Sequence, residues 1–179
     1  MILRQVLVVA LLMLLQGCSG LSSNDPRNTT QQWHDQEIEM EVGGLVNKAP
    51  FRQLARINAI ATEGNVLLVG QAVDQETQSL LGEKVRELSN VQHVYNQVKV
   101  RALPTLGEIS SDSWITTKVK SQMVASKQLK DASIKVITEG QEVYLLGYVT
   151  RTQGDTASEI ARNVSGVKNV IKVFQYPEG

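Results

Sequence analysis

Residue types that commonly carry chemistry are scarce in this 179-residue chain, which has one cysteine and two histidines. His34 and His93 stand alone, with no second histidine or cysteine at ligand spacing, so no metal site is expected. Serines and carboxylates are plentiful, but none falls in a nucleophile-elbow arrangement, and no glycine-rich phosphate loop is present. We therefore predict no enzymatic activity and no cofactor, and the thiol of Cys18 is the reactive group that remains to be explained.

Cys18 follows a single positive charge, Arg4, and an unbroken apolar run over residues 6–15. About ten apolar residues form the core of a secretory signal peptide and are too few to cross a hydrocarbon layer of roughly 30 Å. The sequence Leu-Gln-Gly-Cys at residues 15–18 resembles the bacterial lipobox, whose cysteine receives diacylglycerol and becomes the new N-terminus. Cys18 is thus predicted as a lipidation site behind a signal peptide at residues 1–17. A lone cysteine cannot form a disulfide within its own chain.

Acylation at Cys18 would hold the mature chain on a membrane without crossing it, because more than one acyl chain gives lasting attachment. Ser19 follows the cysteine, and it is not the aspartate that retains lipoproteins at the inner membrane in enterobacteria-like sorting. We therefore predict an outer-membrane location, lipid-anchored and facing the periplasm.

A tandem duplication organises the rest of the chain. At a shift of 77 residues, ARINAIATEGNVLLVGQAV from Ala55 lies on ASIKVITEGQEVYLLGYVT from Ala132, and Gly70 meets Gly147. Pro104 marks a connection between the two copies. The predicted organisation is a lipidated cysteine and flexible tether at 18–32, a first unit at 33–103, a linker at 104–111 and a second unit at 112–179.

The periodicity of apolar residues changes in the same order in both units. A stretch at helical spacing is followed by two short strands around a turn, a second helix and a last alternating strand. This order, α-β-β-α-β, predicts an α+β fold in which a small mixed sheet is packed by helices on one side. Gly70 and Gly147 end the second strand of their units, where a bend or a close backbone approach is expected of a glycine.

Positions that differ between the units are candidates for function. Glu37, Asn47 and Gln71 of the first unit align with Trp114, Val124 and Tyr148 of the second, so the second unit is apolar or aromatic where the first is polar. At 100° per residue, Trp114 lies roughly 140° from the centre of the face formed by Ile115, Val119 and Met123. Trp114 is therefore predicted to be at least partly exposed.

The charges around Trp114 favour an anionic surface. Lys118 and Lys120 follow it on the same helix, and the second unit has nine basic against seven acidic residues, whereas the first has seven against nine. A tryptophan beside lysines is suited to a membrane interface, where each basic side chain contributes about 1 kcal/mol. The residues alone leave a second reading open, in which Trp114 packs against the other unit. Trp33 is read as a packing residue.

The strand order, the glycine ending the second strand and the "V.GV..V" approach to the last strand resemble the BON domain. Two such units behind a lipobox, with SSDSWITTKVKSQM opening the second, are similar to the dual BON-domain outer-membrane lipoproteins of Gram-negative bacteria. The resemblance implies that the second unit binds an anionic, phosphatidylglycerol-like phospholipid surface, and that the protein supports outer-membrane integrity at the division site. The phospholipid-binding residues would be Trp114, Lys118, Lys120, Val124 and Tyr148.

Other functional classes follow less well from the sequence. The chain has no net charge and few aromatic residues, which disfavours nucleic-acid binding. An alternative to lipid binding is a periplasmic adaptor that docks outer-membrane assembly or division proteins through the same patch. A cell-wall enzyme is the least favoured alternative, since no catalytic carboxylate pair is evident.

Overall fold

The computed structural model of the protein describes residues 28–176. The predicted signal peptide, Cys18 and most of the predicted tether lie outside these residues, as does the segment 177–179. Both units follow the order α-β-β-α-β, which confirms the predicted fold class. The first unit consists of α1 (Thr29–Val46), β1 (Ala55–Thr62), β2 (Asn65–Ala72), α2 (Gln75–Arg86) and β3 (His93–Val100). The second consists of α3 (Leu106–Ala125), β4 (Ser133–Glu139), β5 (Glu142–Tyr148), α4 (Arg151–Arg162) and β6 (Asn169–Gln175).

Two helices begin inside segments that the sequence analysis assigned to connections. α1 begins at Thr29, because the Asn28 side chain accepts a hydrogen bond from the backbone N–H of Gln31 and the Gln31 side chain accepts one from Asn28. α3 begins at Leu106, after a reciprocal cap at Thr105. Such capping boxes satisfy N–H groups that the first helical turn leaves unpaired. The tether was predicted to reach residue 32 and the linker to cover 104–111. Both helices therefore begin earlier in the chain than expected.

Each unit contains a three-stranded mixed sheet whose central strand is the second one. β2 pairs antiparallel with β1 and parallel with β3, and β5 pairs in the same way with β4 and β6. The two hairpin turns, Glu63-Gly64 and Gly140-Gln141, have φ angles between 50° and 74°. Two consecutive residues with positive φ make a tight turn whose twist matches that of the strands. The hairpins predicted from the turn residues are thus present in both units.

Gly70 and Gly147 occupy matching places in β2 and β5, with φ angles of 142° and 152°. A Cβ atom on Gly70 would lie 2.0 Å from the carbonyl oxygen of Arg56, and one on Gly147 would lie 2.2 Å from that of Ser133. Only glycine fits so close to the neighbouring strand at this φ. This is the close backbone approach that the sequence analysis expected of both residues.

The helices of each unit pack on one face of its sheet, and each unit has its own apolar core. The first core contains Ile38, Val42, Phe51, Ala55, Ala61, Val66, Leu68, Ala72, Leu81, Val85 and Val98. The second contains Ile115, Val119, Met123, Leu129, Val136, Val143, Leu145, Ala157, Ala161 and Val164. Burial of these side chains is the main term favouring the folded state.

The opposite faces of the two sheets pack against each other. Ile60, Leu67 and Val69 of the first unit form a third apolar cluster with Tyr144 and Leu146 of the second, and none of the five is more than 4% exposed. Successive side chains of a strand point to opposite faces, so β2 and β5 each supply both their own core and this contact. The molecule therefore has four layers, in the order helices, sheet, sheet, helices.

Polar contacts at the edge of this interface are related by the duplication. Asn58 of β1 donates a hydrogen bond to Glu139 at the end of β4 over 3.1 Å. Lys135, which is equivalent to Asn58, donates in turn to the carbonyl oxygen of Ala61 over 3.2 Å and to Glu39 over 2.6 Å. Each unit thus uses the same position of its first strand to reach the end of the other unit's first strand. The interface has an approximate two-fold character.

Glu139 is the most enclosed carboxyl group of this interface, at 8% exposure. Besides Asn58, the side-chain amide of Gln71 donates to it over 2.6 Å. Burial raises the pKa of Glu139, and these hydrogen bonds act in the opposite direction. Gln71, whose alignment with Tyr148 marked it as a divergent position, therefore has a role in joining the two units.

Candidate membrane-binding site

α3 carries the predicted site, and its orientation is fixed from inside the second unit. The capping box at its start joins Thr105 to Glu108, and hydrogen bonds from Thr105 lower the pKa of the Glu108 carboxyl. Ile115, Val119 and Met123 are buried against the sheet, as their spacing predicted. The other side of the helix is left to solvent.

A buried aspartate ties α3 to the hairpin beside it. The carboxylate of Asp112 accepts hydrogen bonds from the backbone N–H groups of Gly140 over 2.7 Å and Gln141 over 2.9 Å. One turn later, the hydroxyl of Thr116 lies 2.8 Å from that of Thr138 on β4. Hydrogen bonds to an ionised acceptor are stronger than neutral ones, so these contacts hold the exposed face of α3 in one position.

Trp114 lies on this exposed face with 51% of its surface accessible, which confirms the exposure predicted from the helical wheel. The ammonium group of Lys118 is 5.4 Å from the centroid of its ring, within the range of a cation–π contact. The apolar contact between the units is made on the far side of the second sheet, by residues of the strands. The structure therefore does not support the reading in which Trp114 is buried between the units.

Val124 and Lys120 extend the exposed face toward the end of α3. Val124 is 80% exposed, an unusual position for a large aliphatic side chain. At 100° per residue it lies about 80° from Trp114 around the helix, and Lys120 lies about 40° beyond it. We call Trp114, Lys118, Lys120 and Val124 the α3 face. It combines two exposed apolar side chains with two cationic ones.

Tyr148 is separated from the α3 face. It is half-buried at the end of β5, and strand alternation places it on the same side of the sheet as Tyr144 and Leu146. That side faces the first unit, whereas α3 packs on the other. The structure brings four of the five predicted phospholipid-binding residues onto one helix and leaves Tyr148 apart.

Two features near the surface were missed by the sequence analysis. Trp33, read as a packing residue, is 63% exposed on α1, together with Met40 at 62%; their seven-residue separation places both on one helical face. The second feature is an apolar cleft beside α3 that involves Leu129 and Lys130. Its walls come from a helix, a turn and a strand, a combination that no single periodicity reveals.

Two properties of residues 28–176 concern metal binding and membrane insertion. In that part of the chain no group of three or more potential metal-ligating side chains comes together. Within the same residues, none of the helices has the length and apolar character needed to span a bilayer.

Comparison with known families identifies both units. Residues 34–102 and 111–178 each match the BON domain family, so the chain belongs to the BON-domain proteins. It is 38% identical over 173 residues to the outer membrane lipoprotein DolP of Haemophilus influenzae, covering 90% of each chain. It is 40% identical over 153 residues to the 21 kDa hemolysin of Actinobacillus pleuropneumoniae, covering 85% of this chain and 79% of that protein.

Among solved structures, the C-terminal domain of CdsD, a structural protein of the type III secretion system of Chlamydia trachomatis, is similar at 17% identity. That similarity covers 81% of this chain and 67% of the other, with a TM-score of 0.32. The two sequence relatives each match most of this chain. The protein is a dual BON-domain lipoprotein of the DolP type, and the outer-membrane localisation predicted from the lipobox and Ser19 is confirmed by this relationship.

Proposed function

We propose that the second BON domain binds the surface of an anionic phospholipid bilayer through the α3 face, in a non-catalytic role. The observation that carries this proposal is Trp114, half-exposed on a helix whose orientation is fixed by Asp112 and with Lys118 against its ring. An indole ring can enter the interfacial layer while its N–H stays hydrated. The adjacent ammonium groups of Lys118 and Lys120 would meet lipid phosphates.

The acyl anchor and the α3 face would act together as two membrane contacts. Acyl chains on Cys18 hold the protein to one leaflet whatever its headgroups, whereas the α3 face adds an affinity that depends on lipid charge. The protein would therefore concentrate where anionic lipid is enriched. On this proposal it supports outer-membrane integrity, and it is enriched at the division site through the same dependence on lipid charge.

The exposed surface of α1 in the first domain supports a second proposal, a protein-binding function. Trp33 and Met40 are exposed on α1, and the acidic residues Glu37 and Glu41 lie between and beside them. Acidic side chains would be repelled by an anionic bilayer, so lipid binding does not explain this surface. It suits an adaptor function at a place other than the patch around Trp114 that the sequence analysis considered, in which outer-membrane assembly or division proteins dock on the first domain while the second contacts lipid.

The lipid-binding proposal is tested by co-sedimentation of the chain from Ser19 to Gly179 with vesicles of phosphatidylglycerol or phosphatidylcholine. This chain retains every described residue and lacks the acylated cysteine. We expect binding to phosphatidylglycerol alone and its loss in Trp114→Glu, with Trp33→Glu as the matched control that still binds. Equal binding to both vesicles, binding to neither, or equal loss in both variants would refute the proposal.

A further inference from the structure

A cleft of about 390 Å³ opens on the second domain between three elements. These are the last turns of α3, the 3₁₀ turn Lys127–Leu129 that follows it and the edge strand β4. Its apolar lining consists of Met123, Val124, Leu129, Ala132, Ile134 and Val136. The volume is within the range of small-molecule sites, about 300 to 1,000 Å³.

The two charged residues that line the cleft are both cationic. Lys120 and Lys130 are exposed to solvent, whereas Met123, Leu129 and Val136 are buried. A ligand complementary to this arrangement has a hydrocarbon portion, which gains free energy by leaving water, and an anionic group that can meet the ammonium groups. A neutral apolar molecule would leave the lysines unused, and a small inorganic anion would leave the apolar walls exposed.

The first domain builds the corresponding corner from different residues. The 3₁₀ turn that follows α1 contributes Phe51, which is 1% exposed and belongs to the core. The turn that follows α3 contributes the smaller Leu129 instead. Lys120 corresponds to the uncharged Gly43 of the first domain, whereas the residue that follows Phe51 is Arg52, which is cationic like Lys130 after Leu129. The smaller side chain and the positive charge at Lys120 therefore distinguish the second domain.

We propose that this cleft binds one anionic single-chain amphiphile, with its hydrocarbon chain against Leu129 and Ile134 and its head group between Lys120 and Lys130. The cleft shares Lys120 and Val124 with the α3 face. This inference rests on the proposed function, because the cleft lies next to the surface proposed to meet the bilayer. It adds a separate site for an individual lipid-like molecule.

The probe is decyl phosphate, titrated into the chain from Ser19 to Gly179 below the concentration at which the probe forms micelles. We expect one molecule to bind per chain, as measured by calorimetry and by NMR shifts confined to the cleft. Butyl phosphate, which has the head group without the chain, and decyltrimethylammonium, which has the chain with the opposite charge, should bind at least about tenfold more weakly.

Leu129→Phe introduces the side chain type that fills the corner in the first domain. It should displace about two methylene groups of the probe and weaken decyl phosphate binding about tenfold. Lys130→Gln, at an exposed position that does not disturb the apolar walls, provides a second variant should Leu129→Phe fail to fold. It should weaken decyl phosphate binding and leave vesicle binding close to that of the wild type, since Lys130 is not on the α3 face.

Trp114→Glu separates this proposal from the function on which it rests. The variant should no longer bind phosphatidylglycerol vesicles, and it should still bind decyl phosphate. If the wild type fails to bind the probe, or if Leu129→Phe and Lys130→Gln both bind it as the wild type does, the cleft proposal is wrong whatever the vesicles show. Binding of decyl phosphate that depends on both Leu129 and Lys130 supports the cleft proposal, even if the wild type does not bind vesicles.

Discussion

The first helices of the two domains, α1 and α3, hold equivalent places and differ in what they present to solvent. Both expose a tryptophan, but Trp114 stands beside Lys118 and Lys120, whereas Trp33 has Glu37 and Glu41 for neighbours. Trp33 also lies four residues before the position equivalent to Trp114. The exposed apolar residue is thus present in both domains, with the opposite charge around it and at a different point along the helix.

The buried sides of the same two helices match closely. Asp35 of α1 accepts hydrogen bonds from the backbone N–H groups of Glu63 over 2.9 Å and Gly64 over 3.0 Å, as Asp112 of α3 does from its own hairpin. Both helices also begin with a capping box. The duplication has therefore kept the contacts that form the fold and varied the surface that a partner would meet.

The largest expected effect concerns a feature that both domains share, the close approach of a glycine to the neighbouring strand. Gly70→Ala and Gly147→Ala each place a Cβ atom about 2 Å from a backbone oxygen of the neighbouring strand, at a φ that disfavours side chains. We expect each to lower the free energy of unfolding by about 3 to 5 kcal/mol, measured by urea denaturation. A loss below about 1 kcal/mol in either domain would show that the two sheets do not depend on the same close approach.

The next largest effect concerns the exposed surfaces of α1 and α3, which differ in charge. Replacing both lysines, in Lys118→Gln/Lys120→Gln, removes about 1 kcal/mol per charge and should weaken binding to phosphatidylglycerol vesicles roughly 30-fold. The matched variant on α1, Glu37→Gln/Glu41→Gln, alters charge by the same amount in the other direction and should not weaken binding. Equal weakening by the two pairs would contradict a site on α3, and denaturation curves would confirm that both variants are folded.

The smallest effect concerns the interface between the domains. Because burial raises the folded-state pKa of Glu139 above its ordinary value of 4.5, its contribution to stability is fully present below the unfolded-state pKa. That contribution is lost as the pH rises through the folded-state pKa. The free energy of unfolding of the wild type relative to Glu139→Gln should therefore fall as the pH is raised from about 4 toward 7.

We expect the Glu139→Gln difference to stay within about 1 kcal/mol, and to be read from denaturation curves at several pH values. Thr62→Ala, at the equivalent position of the first domain, has no ionisable group and should show no such trend. A difference that rises with pH would mean that the interface stabilises the charged form of Glu139.

The elements within each domain could be predicted because the sequence contains the pattern twice. Apolar spacing located the helices, turn residues located the hairpins, and the helical wheel gave the exposure of Trp114. The starts of α1 and α3 were placed too late, because polar caps such as Asn28 and Thr105 resemble the polar connections around them. Trp33 was misread since one aromatic residue near a helix start does not reveal which side it takes.

The interface between the domains was harder to predict from the sequence, although one pattern indicated that it exists. The runs Val-Leu-Leu-Val in β2 and Val-Tyr-Leu-Leu in β5 are apolar at every residue, which indicates strands buried on both faces. The polar contacts of Gln71 and Glu139 join residues 68 positions apart in the chain. Neither they nor the cleft beside Leu129 could be foreseen, because they depend on how whole elements pack.

The two-fold character of the interface makes the chain comparable to a homodimer whose subunits have been joined end to end. In a symmetric dimer the same patch serves both partners, and Asn58 and Lys135 still serve as corresponding members of such a patch. A short connection replaces association between molecules by an effective concentration in the millimolar range. The protein can therefore keep its two domains paired at any cellular abundance, while each subunit-like half remains free to acquire its own outer surface.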